Sequence, residues 1–150
     1  MSAKPPREWL LVEDDPQDRE MTLRILRKHG CTGPIEVACD GVEALAFVFG
    51  GKTVLPSLVL LDLKLPKIGG LEVLRRIKGD PHTRLVPVVV LSSSAEQADI
   101  AEAHRLNVNS YVVKPVDFDQ FSDCIRDIGR YWLQLNETAP ADAYSDGRDI

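Results

Sequence analysis

Cysteine is scarce in this chain. Cys31, Cys39 and Cys124 stand far apart and form no CxxC pair. That spacing speaks against a disulfide framework and against a cysteine zinc site. Cys39 and Cys124 are expected as small core residues and Cys31 in a loop. Positive charge is also short: 18 Lys and Arg face 23 Asp and Glu, for a net charge of −5. Duplex binding needs a basic face, so nucleic acid is not expected as a partner. No uninterrupted apolar run approaches the roughly 20 residues of a membrane span. Met1 to Glu8 is a polar extension with two prolines and lacks the apolar stretch of a signal peptide. A cytoplasmic protein with no membrane partner is expected.

What is present is a set of short apolar runs, each ending in a polar group. Leu58-Val59-Leu60-Leu61 ends in Asp62, and Trp9 to Val12 runs into Glu13-Asp14-Asp15. Pro87 to Leu91 runs into Ser92-Ser93-Ser94, and Tyr111-Val112-Val113 ends in Lys114-Pro115. Strands this apolar are buried on both faces, as in a parallel sheet. Open α/β sheets carry their chemistry at the carboxyl ends of the strands.

Strand and helix patterns alternate five times, which reads as one doubly wound α/β domain. The 150 residues, 44% apolar, suffice for one full core. Asp15-Pro16 reads as an N-cap with proline at the first helical position. A second strand is expected at Ile35 to Ala38 or Cys39, and a fourth at Val88 to Leu91. Helix 4 is expected from Ala95 to Leu106. Asp117 with Gln120 reads as a capping box opening a long helix 5. In it Phe121, Ile125, Ile128, Trp132 and Leu135 recur at steps of four and three, one continuous apolar seam. The domain is therefore expected over 9–135, with a loose tail over 136–150.

Four strand ends thus offer carboxylates, a hydroxyl and an ammonium to one crevice, a set suited to phosphoryl transfer. Asp62 can attack phosphorus and form an acyl phosphate. Such a transfer is driven by positioning and charge neutralisation. Mg2+ fits, since it seeks oxygen and needs one or two carboxylates plus waters. Glu13, Asp14 and Asp62 supply three negative charges; Mg2+ and Lys114 supply three positive ones. Ser92 offers a hydroxyl to one phosphoryl oxygen and Lys114 a point charge to another. Pro115 would fix the turn that aims Lys114 inward, with a cis Lys114–Pro115 bond as one way to do so.

These residues resemble the response regulator receiver domain of two-component signalling, over roughly Trp9 to Leu135. The resemblance rests on the Glu13-Asp14 pair and on Asp62 with Pro66 four on and Gly70 eight on. Ser92 lies 30 residues past Asp62, and Lys114-Pro115 closes the set. It implies a flavodoxin-like (βα)5 fold with strand order 2-1-3-4-5. It implies Asp62 as phosphoacceptor, with a histidine kinase phosphohistidine as donor. Asp14, Asp62 and the backbone carbonyl of Lys64 would ligate Mg2+, with Glu13 acting through a metal-bound water. Ser92 and Lys114 would bind the phosphoryl group, and Tyr111 would be the aromatic switch that turns inward as Ser92 moves. Lys64 and Ser94 would occupy positions that tune phosphoryl lifetime.

Several features depart from the commonest receiver pattern. Asp15 adds a third acid, read as a helix cap, and Ser92 replaces the more frequent threonine. The link from Phe49 to Ser57, the loop from Gly79 to Val86, the serine run and the long helix 5 resemble the single-domain partners of phytochromes. A sensor histidine kinase of the bacteriophytochrome type is therefore one expected partner. The output would pass to a downstream protein or a phosphorelay, because no room for a DNA-binding module is expected after Leu135. Tyr131, Trp132, Leu133 and Leu135 exceed what a free helix end needs, so a homodimer through helix 5 and strand 5 is expected. A phosphatase of the haloacid dehalogenase type competes as a reading, but Lys64 stands where such enzymes place a second acid. The chain is thus expected to be a signalling protein rather than an enzyme. A receiver that docks without phosphorylation is the third reading.

Overall fold

A computed structural model describes residues 8–51, 54–140 and 143–144. Five strands, β1 (Trp9–Val12), β2 (Ile35–Ala38), β3 (Leu58–Leu61), β4 (Val88–Ser92) and β5 (Ser110–Val113), alternate with five helices. These are α1 (Pro16–Lys28), α2 (Gly41–Val48), α3 (Gly70–Gly79), α4 (Gln97–Arg105) and α5 (Phe118–Arg130), followed by a wide π-helical turn, Tyr131–Leu135. The sheet is wholly parallel in the order β2-β1-β3-β4-β5. The expected flavodoxin-like order is therefore found.

Side chains alternate across a strand with period two, and the core divides accordingly. Leu10, Val12, Val59, Leu61, Val88 and Val90 face one layer with α2, α3 and α4 residues Leu45, Leu74, Ile77 and Ala103. Trp9, Leu11, Leu58, Leu60, Val89 and Leu91 face the other with Ile25 and Leu26 of α1 and Phe121, Ile125 and Ile128 of α5. Because β1, β3 and β4 are covered on both faces, their residues read as unbroken apolar runs. The edge strand β5 is less buried throughout.

Local signals set the helix starts. The Asp15 carboxylate accepts from the amides of Gln17 and Asp18, with Pro16 behind it. Asp40 caps α2 through the amide of Glu43, and Asp117 caps α5 through the amide of Gln120. These short acids satisfy amides that the helix itself leaves without partners.

The structure corrects several boundaries and burials. Ser92 is the last residue of β4, and α4 begins at Gln97, two residues after Ala95. Cys31 is the buried cysteine, 2% exposed within the α1/α5 layer, whereas Cys39 and Cys124 are half-buried. The expected seam of helix 5 holds through Ile128 and then changes. Past Arg130 the backbone widens, the amide of Asn136 donating to the carbonyl of Tyr131 at 2.7 Å. Trp132 still packs on the core, but Leu135 is 62% exposed. Of the tail expected over 136–150, residues 141, 142 and 145–150 lie outside the described residues; Ala139 packs on the α2/α3 layer and Tyr144 is 7% exposed within it. These two side chains lie on the opposite face of the sheet from α5.

Candidate functional site

Sheet hydrogen bonding runs one residue past the strands and fixes the first acids of the site. The Glu13 amide donates to the carbonyl of Ala38 and the Asp62 amide to that of Val12, both at 3.0 Å. Glu13 and Asp62 are buried and Asp14 is exposed, and one carboxylate oxygen from each lies within 4.8 Å of the others. Arg19 steadies this turn, its guanidinium donating to the carbonyls of Glu13 and Asp14.

Lys114 enters from β5. Its amide donates to the carbonyl of Ser92 at 2.8 Å, which ties it to the end of β4. Its side chain is only 9% exposed, and the ammonium meets three carboxylates. These are Glu13 Oε1 at 2.5 Å, Asp18 Oδ2 at 3.0 Å and Asp62 Oδ2 at 3.2 Å. A lysine ammonium has three N–H donors, and here each has an acceptor. Burial alone would lower the Lys114 pKa, but hydrogen bonds to Glu13 and Asp18 outweigh it and hold the group above its ordinary value. Burial pushes the Glu13 carboxyl up to about 7, against the pull of Lys114. Lys114, held above its ordinary value, is the ammonium donor of this pair and Glu13 the acceptor. Asp18 is a site residue that sequence reasoning missed. Its only signal is position: an acid in the first turn of a helix whose start faces the strand ends.

The three clustered carboxylates suit a divalent cation. Mg2+ takes six oxygens at about 2.0–2.1 Å, some of them waters, and carboxylate oxygens within 4.8 Å of one another can surround one such ion, directly or through a water. Two of the acids are buried beside each other, where like charges repel, and a cation relieves that repulsion.

Beside this cluster lies a hydroxyl network. Ser92 is fully buried, and its Oγ accepts from the amide of Ser94 at 3.2 Å. The Ser94 hydroxyl donates to Asp99 Oδ2 at 2.6 Å. The hydroxyl of the partly buried Tyr111 donates to the Ser94 carbonyl at 2.8 Å. Burial raises the Tyr111 pKa, so this phenol remains a donor at neutral pH.

The loop after β3 folds back tightly on Asp62. The Lys64 amide donates to Asp62 Oδ1 at 3.2 Å, and the Gly70 amide to the carbonyl of Leu63 at 3.0 Å. A Cβ on Gly70 would lie 2.5 Å from the Cα of Leu63 and still closer to the Asp62 carbonyl. Lys67 adopts a left-handed conformation and pairs with Asp40 at 3.2 Å. The expectation of a cis Lys114–Pro115 bond is not met: no cis peptide occurs among the described residues. The Lys114 amide bond to Ser92, rather than proline isomerism, accompanies the inward aim of the ammonium.

Residues 9–126 match the response regulator receiver domain family. A probable methanogenesis regulatory protein, FilR2 of Methanothrix harundinacea, is 40% identical over 141 residues, covering 92% of this chain and 91% of that protein. The Mn2+-bound form of response regulator Rcp1 superposes with a TM-score of 0.85 at 32% identity, covering 90% of this chain and all of that one. The bacteriophytochrome response regulator AtBRR is 46% identical with a TM-score of 0.69, covering 89% of this chain and all of its own.

Proposed function

The chain belongs to the response regulator receiver domain family, and from that premise we propose that it is a phosphorylation switch in two-component signalling. Asp62 accepts a phosphoryl group from the phosphohistidine of a sensor histidine kinase. The observation that carries this reading is the Asp62 carboxylate at the end of β3, held between the Lys114 ammonium and the acids of β1. In the transfer, an Asp62 oxygen forms a bond to phosphorus as the phosphorus–nitrogen bond breaks. The electron pair leaves with the imidazole. Asp14, Asp62 and the Lys64 carbonyl would hold Mg2+ directly, and Glu13 would hold it through a water. The cation supplies charge neutralisation at the phosphoryl oxygens. Lys114 orients one of those oxygens, and the Ser92 hydroxyl turns toward another. As Ser92 turns, the Ser94 amide loses its acceptor, and Tyr111 and α4 feel the change.

The chain acts as a signalling protein rather than an enzyme with turnover on outside substrates. Lys64, two residues past Asp62, opposes a phosphatase reading. The likeness to AtBRR supports a phytochrome-type kinase as the donor, and the Mn2+-bound Rcp1 supports a divalent ion in the acid cluster. The output passes to a partner protein or a phosphorelay. Tyr131, Leu133 and Leu135 stand exposed at the end of α5, and Val113 at the β5 edge. They support a homodimer through α5 and β5, with an isologous interface.

Incubation with Mg2+ and acetyl phosphate tests the central step. The expected result is one acid-stable, base-labile phosphoryl group per wild-type chain and none in Asp62→Asn. Unchanged labelling of that variant would overturn the reading.

A further inference from the structure

We infer that Asp18 is a positioning residue for phosphoryl transfer, an anchor that holds the Lys114 ammonium on Asp62 while the cation occupies the other acids. The inference rests on the reading of Asp62 as phosphoacceptor.

Lys114 touches three carboxylates, and they are not equivalent. Glu13 and Asp62 belong to the cluster of carboxylates that can share a metal ion; Asp18 does not. A bound cation draws on Glu13 and Asp62 and weakens their hold on the ammonium. Asp18, at 3.0 Å, is the acid whose hold the cation leaves intact. It sits in the first turn of α1, where Asp15 and Pro16 fix the helix start, so its carboxylate is presented from a rigid element.

Lysine is a flexible stem with three rotatable donors, and pinning it costs rotamer entropy. With two N–H groups committed to Glu13 and Asp18, the third points at Asp62 Oδ2. When acetyl phosphate reacts, an Asp62 oxygen bonds to phosphorus. The phosphorus–oxygen bond to acetate breaks, and acetate leaves with the electron pair. The third N–H of Lys114 then shifts from Asp62 to a phosphoryl oxygen without the ammonium leaving Asp18. Asp18 never touches the reacting atoms. It acts through Lys114 alone.

The test has two readouts. The first needs neither metal nor phosphoryl donor: the 15Nζ ammonium resonance of Lys114, slowed in proton exchange by its buried contacts. It is expected in the wild type, broadened beyond detection in Asp18→Ala, and retained in Asp18→Asn, whose amide oxygen still accepts. The second is the initial rate of labelling by acetyl phosphate with saturating Mg2+. Loss of one charge-assisted anchor should slow Asp18→Ala about tenfold, while Asp18→Asn recovers most of the rate. Asp18→Ser keeps a residue suited to the first helical turn but is too short to reach Lys114. It repeats the Ala result with α1 intact, should Asp18→Ala fold poorly. A wild type that is never labelled sinks the proposed function. A wild type that is labelled, with all variants equal to it in rate and in the Lys114 resonance, sinks the role of Asp18.

Discussion

The Tyr111 hydroxyl donates to the Ser94 carbonyl at 2.8 Å, while the Ser94 amide donates to the Ser92 hydroxyl. Ser94, two residues past the end of β4, thus connects a tyrosine on the edge strand to the serine beside the acid cluster. The Ser94 hydroxyl extends the connection to Asp99 on α4. Two hydrogen bonds thus separate the Ser92 hydroxyl from Asp99 on α4.

Tyr111→Phe removes the donor and leaves the ring. The expected cost is about 1 kcal/mol of stability in urea unfolding, the usual net worth of one such bond. Amide exchange across residues 94–99 should quicken, with the rest of the sheet unaffected. Unchanged exchange in that segment would show that the Tyr111–Ser94 bond does not hold the β4–α4 loop.

Gly70→Ala should destabilise the fold by about 1–3 kcal/mol, the range for forcing an extra methyl into packed surroundings. The neighbours are backbone atoms of Asp62 and Leu63, which cannot yield as a flexible side chain would. Because the strain falls on Asp62 itself, acetyl phosphate labelling should also slow. A variant with wild-type stability and labelling would contradict this close approach.

Lys78 carries a pH dependence of its own. Its ammonium donates to the carbonyls of Arg84 and Val86 and to Asn109 Oδ1 at 2.7 Å; that Asn109 oxygen also accepts from the Val88 amide. Burial pushes its pKa down to about 8. Above about 8 the folded chain has released this proton, while the unfolded chain keeps it up to the ordinary value of 10.5. The unfolded state then binds more protons, so this group makes stability rise with pH across that window. The stability of the wild type relative to Lys78→Met should therefore grow between pH 8 and 10 in chemical denaturation. A flat or falling difference would be the contrary result.

Paired substitution of Leu133→Glu and Leu135→Glu tests the dimer. Both side chains are exposed, so the fold and its melting temperature should change little. Light scattering at micromolar concentration should report a dimer for the wild type and a monomer for the variant. A monomeric wild type would remove the proposal.

Much of this protein was legible in the residues. The apolar runs at Trp9–Val12, Leu58–Leu61 and Val88–Leu91 announce strands covered on both faces. Asp15-Pro16 and Asp117 announce helix starts, because a cap is a contact between residues two or three apart. The Glu13-Asp14 pair and Asp62 were legible as a cluster because parallel strands deliver their carboxyl ends to one edge. Asp18 was not, because its contact with Lys114 spans 96 residues and nothing in its neighbours sets it apart from an ordinary first-turn acid. Cys31 lies in the loop between α1 and β2, as expected, yet it is buried in the core. Loop sequence carries no periodicity from which burial can be read.

The alternation of strands and helices, the caps, and the polar residue at each strand end can all be read along the chain. These depend on side-chain period and local hydrogen bonding, which act over a few residues. Three-dimensional packing set which acids share the Lys114 ammonium, where helix 5 widens at Tyr131, and that Tyr144 is buried in the core. Those outcomes depend on which distant surfaces meet once the two layers close on the sheet, and burial and charge pairing act there through space rather than along the chain.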